Sequence, residues 1–247
     1  ENRIDPLEDI KIINAELALS DLEILEKNYQ KLKKTQKTEY DKKKISVIEK
    51  AIELISKEQR ILNNLDKDEI EYLSIFQLIS IKPVVYVCNV DENSSVNGNS
   101  HTKSIEEYSK LNNSETLLVS AKIESEISQI SDNEEKKMFL DSMGLKETGL
   151  KRVIKKGYAL LNYINFFTAG EKELRAWTIS KGTLAPSAAG EIHTDMEKGF
   201  IRAETISYED YIEYNGESGA KEKGKLRLEG KEYEVNDGDV MHFLFNV

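Results

Sequence analysis

The sequence holds a single cysteine, Cys88, so an internal disulfide is impossible. Its place in an apolar run marks it as a small buried core residue, and a reduced, cytoplasmic setting is the expectation. No stretch approaches the ~20 consecutive apolar residues that a membrane helix requires, so no membrane partner is expected. Residues 1–20 lack the basic start and apolar stretch of a signal peptide. The histidines His101, His193 and His242 lie far apart and show no metal-ligand spacing, so no metal ligand is assigned. Neither a Ser/His/Asp nor a Cys/His arrangement stands out, and no catalytic residue is assigned. The phosphate-binding pattern Gly-x-x-x-x-Gly-Lys-Ser/Thr is also missing. Gly-Lys occurs at Gly224-Lys225 and Gly230-Lys231, but Leu226 and Glu232 follow, and both fail.

What is present fits a soluble globular protein of one large domain or two modest ones. The 247 residues are 39% apolar and 32% charged. A net charge of −10 argues against wrapping nucleic acid with the whole surface and leaves room for a local basic patch.

Residues 10–34 place Ala15, Ala18, Leu22, Leu25, Tyr29 and Leu32 at three- and four-residue steps, the spacing of a helix. Residues 43–65 repeat it with Ile45, Ile48, Ile52, Ile55 and Leu62, interrupted by Gln59. Two such seams joined by a short link predict an antiparallel, coiled-coil-like helical hairpin. The link, KLKKTQKTEYDKKK (31–44), holds seven lysines against Glu39 and Asp41. It reads either as a solvated turn or as a tip that contacts phosphates.

The next section alternates strand and helix. Pro83–Cys88 and Thr116–Ser120 are strand candidates. Residues 105–111, 134–143 and 150–161 are helix candidates. This order predicts a parallel sheet with flanking helices. From about Asn162 a small α+β module is expected. Its strands are read at 173–179, at 200–206, in two runs about Gly230 within 226–235, and after Asp237-Gly238. A short helix at 186–196 carries Ala189, Ile192 and Met196 on one face.

In a parallel sheet, ligands bind beyond the carboxyl ends of the strands. Two loops belong there, Asn89-Val90-Asp91-Glu92 and Ser120-Ala121-Lys122-Ile123-Glu124. Asn89 can bond a purine ring nitrogen and exocyclic amine, and can also brace the neighbouring loop. The Ala121 backbone N–H can bond a base edge. The guanine-reading loop of small GTPases is Asn-Lys-x-Asp, whose Asp accepts from two donors that only guanine offers. Here Val90 replaces the Lys and Glu92 the Asp, which weakens guanine selectivity and makes adenine plausible.

The strings RIDPLEDIKIINAELALSDLE (3–23), KPVVYVCNVDE (82–92), GLKRVIKKGYALLN (149–162), FFTAGEKELRAWTISKGTLAP (166–186) and IHTDMEKGFIRAE (192–204), with 208–247, resemble the YchF family of Obg-like ATPases from end to end. The resemblance implies an α/β fold. It consists of the remainder of a Ras-like P-loop G domain (1–20 and 78–161), an inserted helical hairpin (21–77) and a ubiquitin-like, β-grasp TGS domain (162–247). It implies hydrolysis of ATP in preference to GTP with Mg²⁺, and association with the ribosome and RNA. Carried onto this sequence, Asn89, Val90 and Glu92 form the base loop and Ser120, Ala121 and Lys122 its partner loop. Lys31, Lys33, Lys34, Lys37, Lys42, Lys43 and Lys44 are the candidate nucleic-acid contacts. The family places its P-loop, switch loop and Mg²⁺ ligand before the stretch matching Glu1. These residues alone are therefore expected to hold no nucleotide or metal firmly and to be a poor enzyme or none. A monomer is expected. A non-enzymatic RNA- or ribosome-binding module, made of the hairpin and the TGS domain, is the alternative.

Overall fold

A computed structural model describes residues 4–35, 38–57, 60–170 and 173–246. The chain adopts an α/β fold divided into two compact units, Glu1–Ile154 and Lys155–Val247.

The first unit opens with two helices, α1 (Pro6–Thr35) and α2 (Glu39–Ser56). Pro6 stands at the first helical position, where a missing N–H costs nothing. Glu8 and Asp9 in the first turn and Lys33 and Lys34 in the last complement the helix dipole. Thr38 starts α2 through a reciprocal cap. The Asp41 N–H donates to the Thr38 hydroxyl at 3.1 Å, and the Thr38 N–H donates to the Asp41 carboxylate at 3.0 Å. Leu25 of α1 meets Ile48, Ala51, Leu54 and Ile55 of α2 in one buried cluster.

The helix expected over 43–65 is shorter than its apolar spacing suggested. After α2 the chain makes a single 3₁₀ turn at Ile61–Asn63, and α3 (Lys67–Ser74) begins afresh. Asp66 and Glu69 cap α3 reciprocally, and the Asn64 side chain donates to the Arg60 carbonyl at 2.8 Å. Such local side-chain bonds offer the backbone an alternative to helix. Ile61 and Leu65 nevertheless stay in the same core. The apolar spacing was real, but a continuous helix was not its only solution.

β1 (Val85–Asn89) and β2 (Glu115–Val119) pair in parallel, in register from Val85↔Glu115 to Asn89↔Val119. α4 (Ser100–Leu111) supplies the crossover between them. Directly after β2 comes α5 (Ala121–Gln129), then α6 (Asn133–Ser142) and α7 (Gly149–Leu161). The segment 120–124 is therefore a helix start rather than a loop. Ile123 and Ile127, one turn apart, bury against Leu140 and Leu145 and draw the backbone into helix.

The second unit contains β3 (Tyr163–Ala169), β4 (Leu174–Ser180), α8 (Ala185–Ile192), α9 (Thr194–Lys198), β5 (Phe200–Ser207), α10 (Tyr208–Glu213), α11 (Glu217–Glu222), β6 (Arg227–Glu229) and β7 (Asp239–Phe245). Its five-stranded sheet runs β4-β3-β7-β5-β6, mixed because β3 and β7 are parallel while the other pairs are antiparallel. Phe166, Ile179, Ala188, Ala189, Phe200, Met241 and Phe243 form its core. The helix expected over 186–196 is broken at His193, which is extended and whose Nδ1 accepts the Asp195 N–H at 3.2 Å. Ala189, Ile192 and Met196 still face the same core across the break. The second run about Gly230 is not a strand; a lone bridge from Glu234 to Leu184 takes its place. Gly199 permits the close passage of the C-terminus, since a Cβ there would lie 2.1 Å from the Asn246 carbonyl oxygen.

Among the described residues no helix is long and apolar enough to cross a membrane.

Candidate base-recognition site and basic tip

β1 and β2 end side by side, at Asn89 and Val119, so the segments that follow them emerge together. The Val90 N–H donates to the Val119 carbonyl at 2.9 Å and continues the ladder one residue further. Asn89 then bridges the two segments, its Oδ1 accepting the Ala121 N–H at 3.0 Å. This corrects one expectation. The Ala121 N–H is already engaged, so it is not available to a base edge. The bracing role of Asn89 is the one seen. Its Nδ2 keeps two N–H groups, the right polarity for a purine ring nitrogen.

Asp91 caps the turn at Glu92–Ser94, accepting the Ser94 N–H at 3.0 Å. Glu92 projects from that turn, and both of its carboxylate oxygens lie 3.0 Å from the Lys122 Nζ. The hydrogen bond to Glu92, and then its charge, holds the Lys122 ammonium above the ordinary lysine range. Ser120 occupies the position before α5 without capping it. Its hydroxyl is buried and has no hydrogen-bond partner among the described residues. Glu124 faces the other way and accepts the Gly149 and Leu150 N–H groups at 2.6 and 3.2 Å, which caps α7. All six base-site candidates are thus linked by direct contacts or chain continuity around one corner. Val90 enters through its backbone alone.

Cys88, expected in the core, is only half-buried at this strand end. Burial pushes its thiol above the ordinary range, which disfavours the thiolate. Among the described residues no three His, Cys, Asp or Glu side chains gather to hold a metal, so none is assigned to Mg²⁺.

The seven candidate lysines do not form one uniform patch. Lys37 lies outside the described residues. Lys44 is half-buried, its ammonium 5.3 Å from the centre of the Tyr72 ring. Lys42 pairs with Glu39. Lys33 donates to the Tyr29 hydroxyl at 3.1 Å, and Tyr29 donates to Glu49 at 2.7 Å. Lys31, Lys34 and Lys43 are exposed.

Sequence reasoning missed the Glu92–Lys122 pair and the role of Glu124 as a cap. The first joins residues far apart in sequence and has no local signal. The second had none either, because Thr148 already caps α7 locally, its hydroxyl accepting the Lys151 N–H at 3.1 Å.

Residues 163–246 match the family model YchF-GTPase_C, described as a protein of unknown function (DUF933). Over 248 residues the chain is 50% identical to the ribosome-binding ATPase YchF of Haemophilus influenzae, covering 99% of this chain and 68% of that protein. It is 45% identical over 255 residues to the ribosome-binding ATPase YchF of Bacillus subtilis, covering 99% and 68%. The structure of the Schizosaccharomyces pombe YchF GTPase superposes with a TM-score of 0.87 at 32% identity, covering 99% of this chain and 67% of that one. A GTP-binding protein from Pyrococcus horikoshii superposes at 0.61 with 20% identity, a likeness of fold alone. Fold and sequence together define an α/β protein built like the YchF structures. The chain belongs to the YchF family.

Proposed function

We propose that this chain supplies the base-reading and ribosome-contacting parts of a nucleotide hydrolase that prefers ATP to GTP. The observation that carries the reading is the Asn89–Ala121 bridge, which fixes a donor amide at the carboxyl ends of two parallel strands. Val90 and Glu92 depart from the guanine-reading pattern and favour adenine. The relatives' names differ on the nucleotide, one naming an ATPase and one a GTPase, so the choice rests on these residues.

In this reading residues 1–20 and 78–161, with β1, β2 and α4–α7, belong to a Ras-like G domain, and residues 21–77, from the second half of α1 through α3, form a helical hairpin inserted into it. The mixed five-stranded sheet with α8 across it is a β-grasp TGS domain. Phosphoryl transfer relies on positioning and charge stabilisation at the phosphates. The 247 residues contain no P-loop sequence, so by themselves they turn over no ATP. Mg²⁺, when bound with ATP, would neutralise phosphate charge, and the residues described here act on the base. The relatives are named for ribosome binding, and the exposed lysines of the α1–α2 tip are the matching surface here, acting in the cytoplasm on ribosomal RNA.

A titration of the chain with ATP and GTP, read by amide chemical shifts at Asn89, Glu92 and Ala121, tests the base assignment. Asn89→Ala should abolish the ATP response. An unchanged response would move the base site elsewhere. ATP turnover above a no-protein control, in a preparation free of contaminating ATPase, would overturn the assignment of phosphate chemistry to other residues. The alternative, an RNA- or ribosome-binding module independent of nucleotide, is favoured by the exposed lysines, and it is what remains if no nucleotide moves these amides.

A further inference from the structure

We propose that Lys122 sets the base preference of this site by holding both carboxylate oxygens of Glu92 and so removing the acceptors that guanine needs. The inference rests on the base-reading role of the Asn89 corner and deepens it. Guanine presents two donors, its ring N–H and 2-amino group, and a free carboxylate accepts both. Here each Glu92 oxygen is 3.0 Å from the Lys122 Nζ. Guanine must therefore displace the ammonium or accept poorer geometry.

Adenine gains from the same arrangement. Its ring position carries a lone pair where guanine carries a proton. A bare carboxylate would repel that lone pair. The Lys122 ammonium neutralises the carboxylate and has a third N–H to spare. The corner as built presents a donor to the base edge rather than two acceptors.

The position of Lys122 supports a purpose beyond solvation. It sits in the first turn of α5, where the helix dipole disfavours a cation. Its partner is not on its own helix but thirty residues away, on the turn that follows β1. Lys122 is largely exposed and Glu92 half-exposed, with side-chain accessibilities of 66% and 35%, so the pair contributes little to folding and can be altered without unfolding the unit.

The test uses the whole chain and its Lys122→Met and Lys122→Arg variants, each titrated with ATP and with GTP and read at the Asn89, Glu92 and Ala121 amides. An exposed ion pair is worth up to a factor of about five in an equilibrium. Lys122→Met should therefore shift the ATP-to-GTP affinity ratio toward GTP by about threefold to fivefold. Lys122→Arg keeps a cation on Glu92 and should retain the parental ratio. A purely structural lysine would change both affinities together and leave the ratio alone. A parental chain that prefers ATP, with the same ratio in Lys122→Met, overturns the role of Lys122 while the base site stands. If neither nucleotide moves these amides in the parental chain even at concentrations that reveal weak binding, the base-site reading fails and this inference falls with it.

Discussion

In the C-terminal unit β7 runs through the middle of a five-stranded sheet, and its Met241 and Phe243 are almost inaccessible. In the N-terminal unit β1 has a single strand partner among the described residues, and Val87 at its centre is 48% exposed. Two strands make a poor free-standing sheet. Side-chain bridges also reach this region from neighbouring segments. Asn14 of α1 donates to the hydroxyls of Tyr86 and Tyr108 at 3.1 and 3.3 Å. Asp21, fully buried, accepts the Ile79 and Ser80 N–H groups at 2.9 and 2.6 Å and fixes the segment that leads into β1. Arg60 donates to the Asn112 carbonyl at 2.9 Å just before β2. The difference lies in where each unit keeps its core: in the C-terminal unit the sheet itself is buried in it, while in the N-terminal unit the buried clusters lie among helices and polar anchors position the strands.

The harshest way to break this contrast is to hollow the C-terminal core. Phe166 is fully buried and touches Trp177 and Phe243. Phe166→Ala should cost about 3–5 kcal/mol. Trp177 is the only tryptophan and lies in the same unit, so its fluorescence reports the loss under denaturant. The amides of Asn89 and Ala121 should keep their shifts in the variant. If they collapse together with the fluorescence, the two units do not hold themselves separately.

A gentler change sharpens the N-terminal side. Val90→Lys with Glu92→Asp restores the guanine-reading pattern at exposed or half-exposed positions. Selectivity should move toward GTP by roughly tenfold to a hundredfold, since a hydrogen bond to a charged group is worth about 1.5–3 kcal/mol. The melting temperature should barely change. Side-by-side nucleotide titration measures the first and calorimetry the second. A large loss of stability with no gain for GTP would mean that this turn is scaffold rather than reader.

Much of the N-terminal unit was legible because its strands are compact apolar runs and its long helices repeat their apolar residues at helical steps. The register that brings Asn89 beside Ala121 follows from two parallel strands of equal length, which the strand–helix–strand order already implied. The Lys122–Glu92 pair was not legible, because nothing local records which charges meet across a sheet end. Helix α5 was missed although Ile123 and Ile127 stood one turn apart. The polar residues around them read equally well as a loop. β3 carries Ile164, Phe166 and Thr168 on alternate positions and could have been read as a strand. The short helices α10 and α11 span only six residues each, too few for any period to show. At the tip, composition gave seven lysines, but only structure separates Lys33 and Lys42, which have a polar partner, from Lys31, Lys34 and Lys43.

That separation yields the next test. Lys31, Lys34 and Lys43 replaced together by Gln should weaken binding to ribosomes or single-stranded RNA and flatten the salt dependence by about two units, at ~0.7 per phosphate contact. Replacing Lys33 and Lys42, whose charges are shared with Tyr29 and Glu39, should flatten it less. Gln is nearly as good a helix former as Lys, so circular dichroism should be unchanged. Binding that keeps its affinity and slope in the triple variant would make the tip a solvated turn and turn attention to the C-terminal unit.

The smallest expected effect returns to that C-terminal unit and to a polar network around Tyr233. The Tyr233 hydroxyl donates to the Asp239 carboxylate at 2.6 Å and accepts from Arg227 at 3.0 Å and from the Asn236 side chain at 2.9 Å. Burial first, and then the hydrogen bond to Asp239, pushes the phenol from the ordinary 10.0 up to about 12. The folded state thus binds this proton more tightly than the unfolded chain does. Its contribution is fully present below about pH 10 and is lost as the pH rises from there toward 12. Tyr233 is only half-buried, so solvent screening reduces the effect to about 1 kcal/mol. Thermal melts between pH 9 and 12, followed through Trp177, should fall more steeply in the parental chain than in Tyr233→Phe, which has no phenol to ionise. Parallel curves for the two proteins would show that the network holds the fold with no help from the Tyr233 proton.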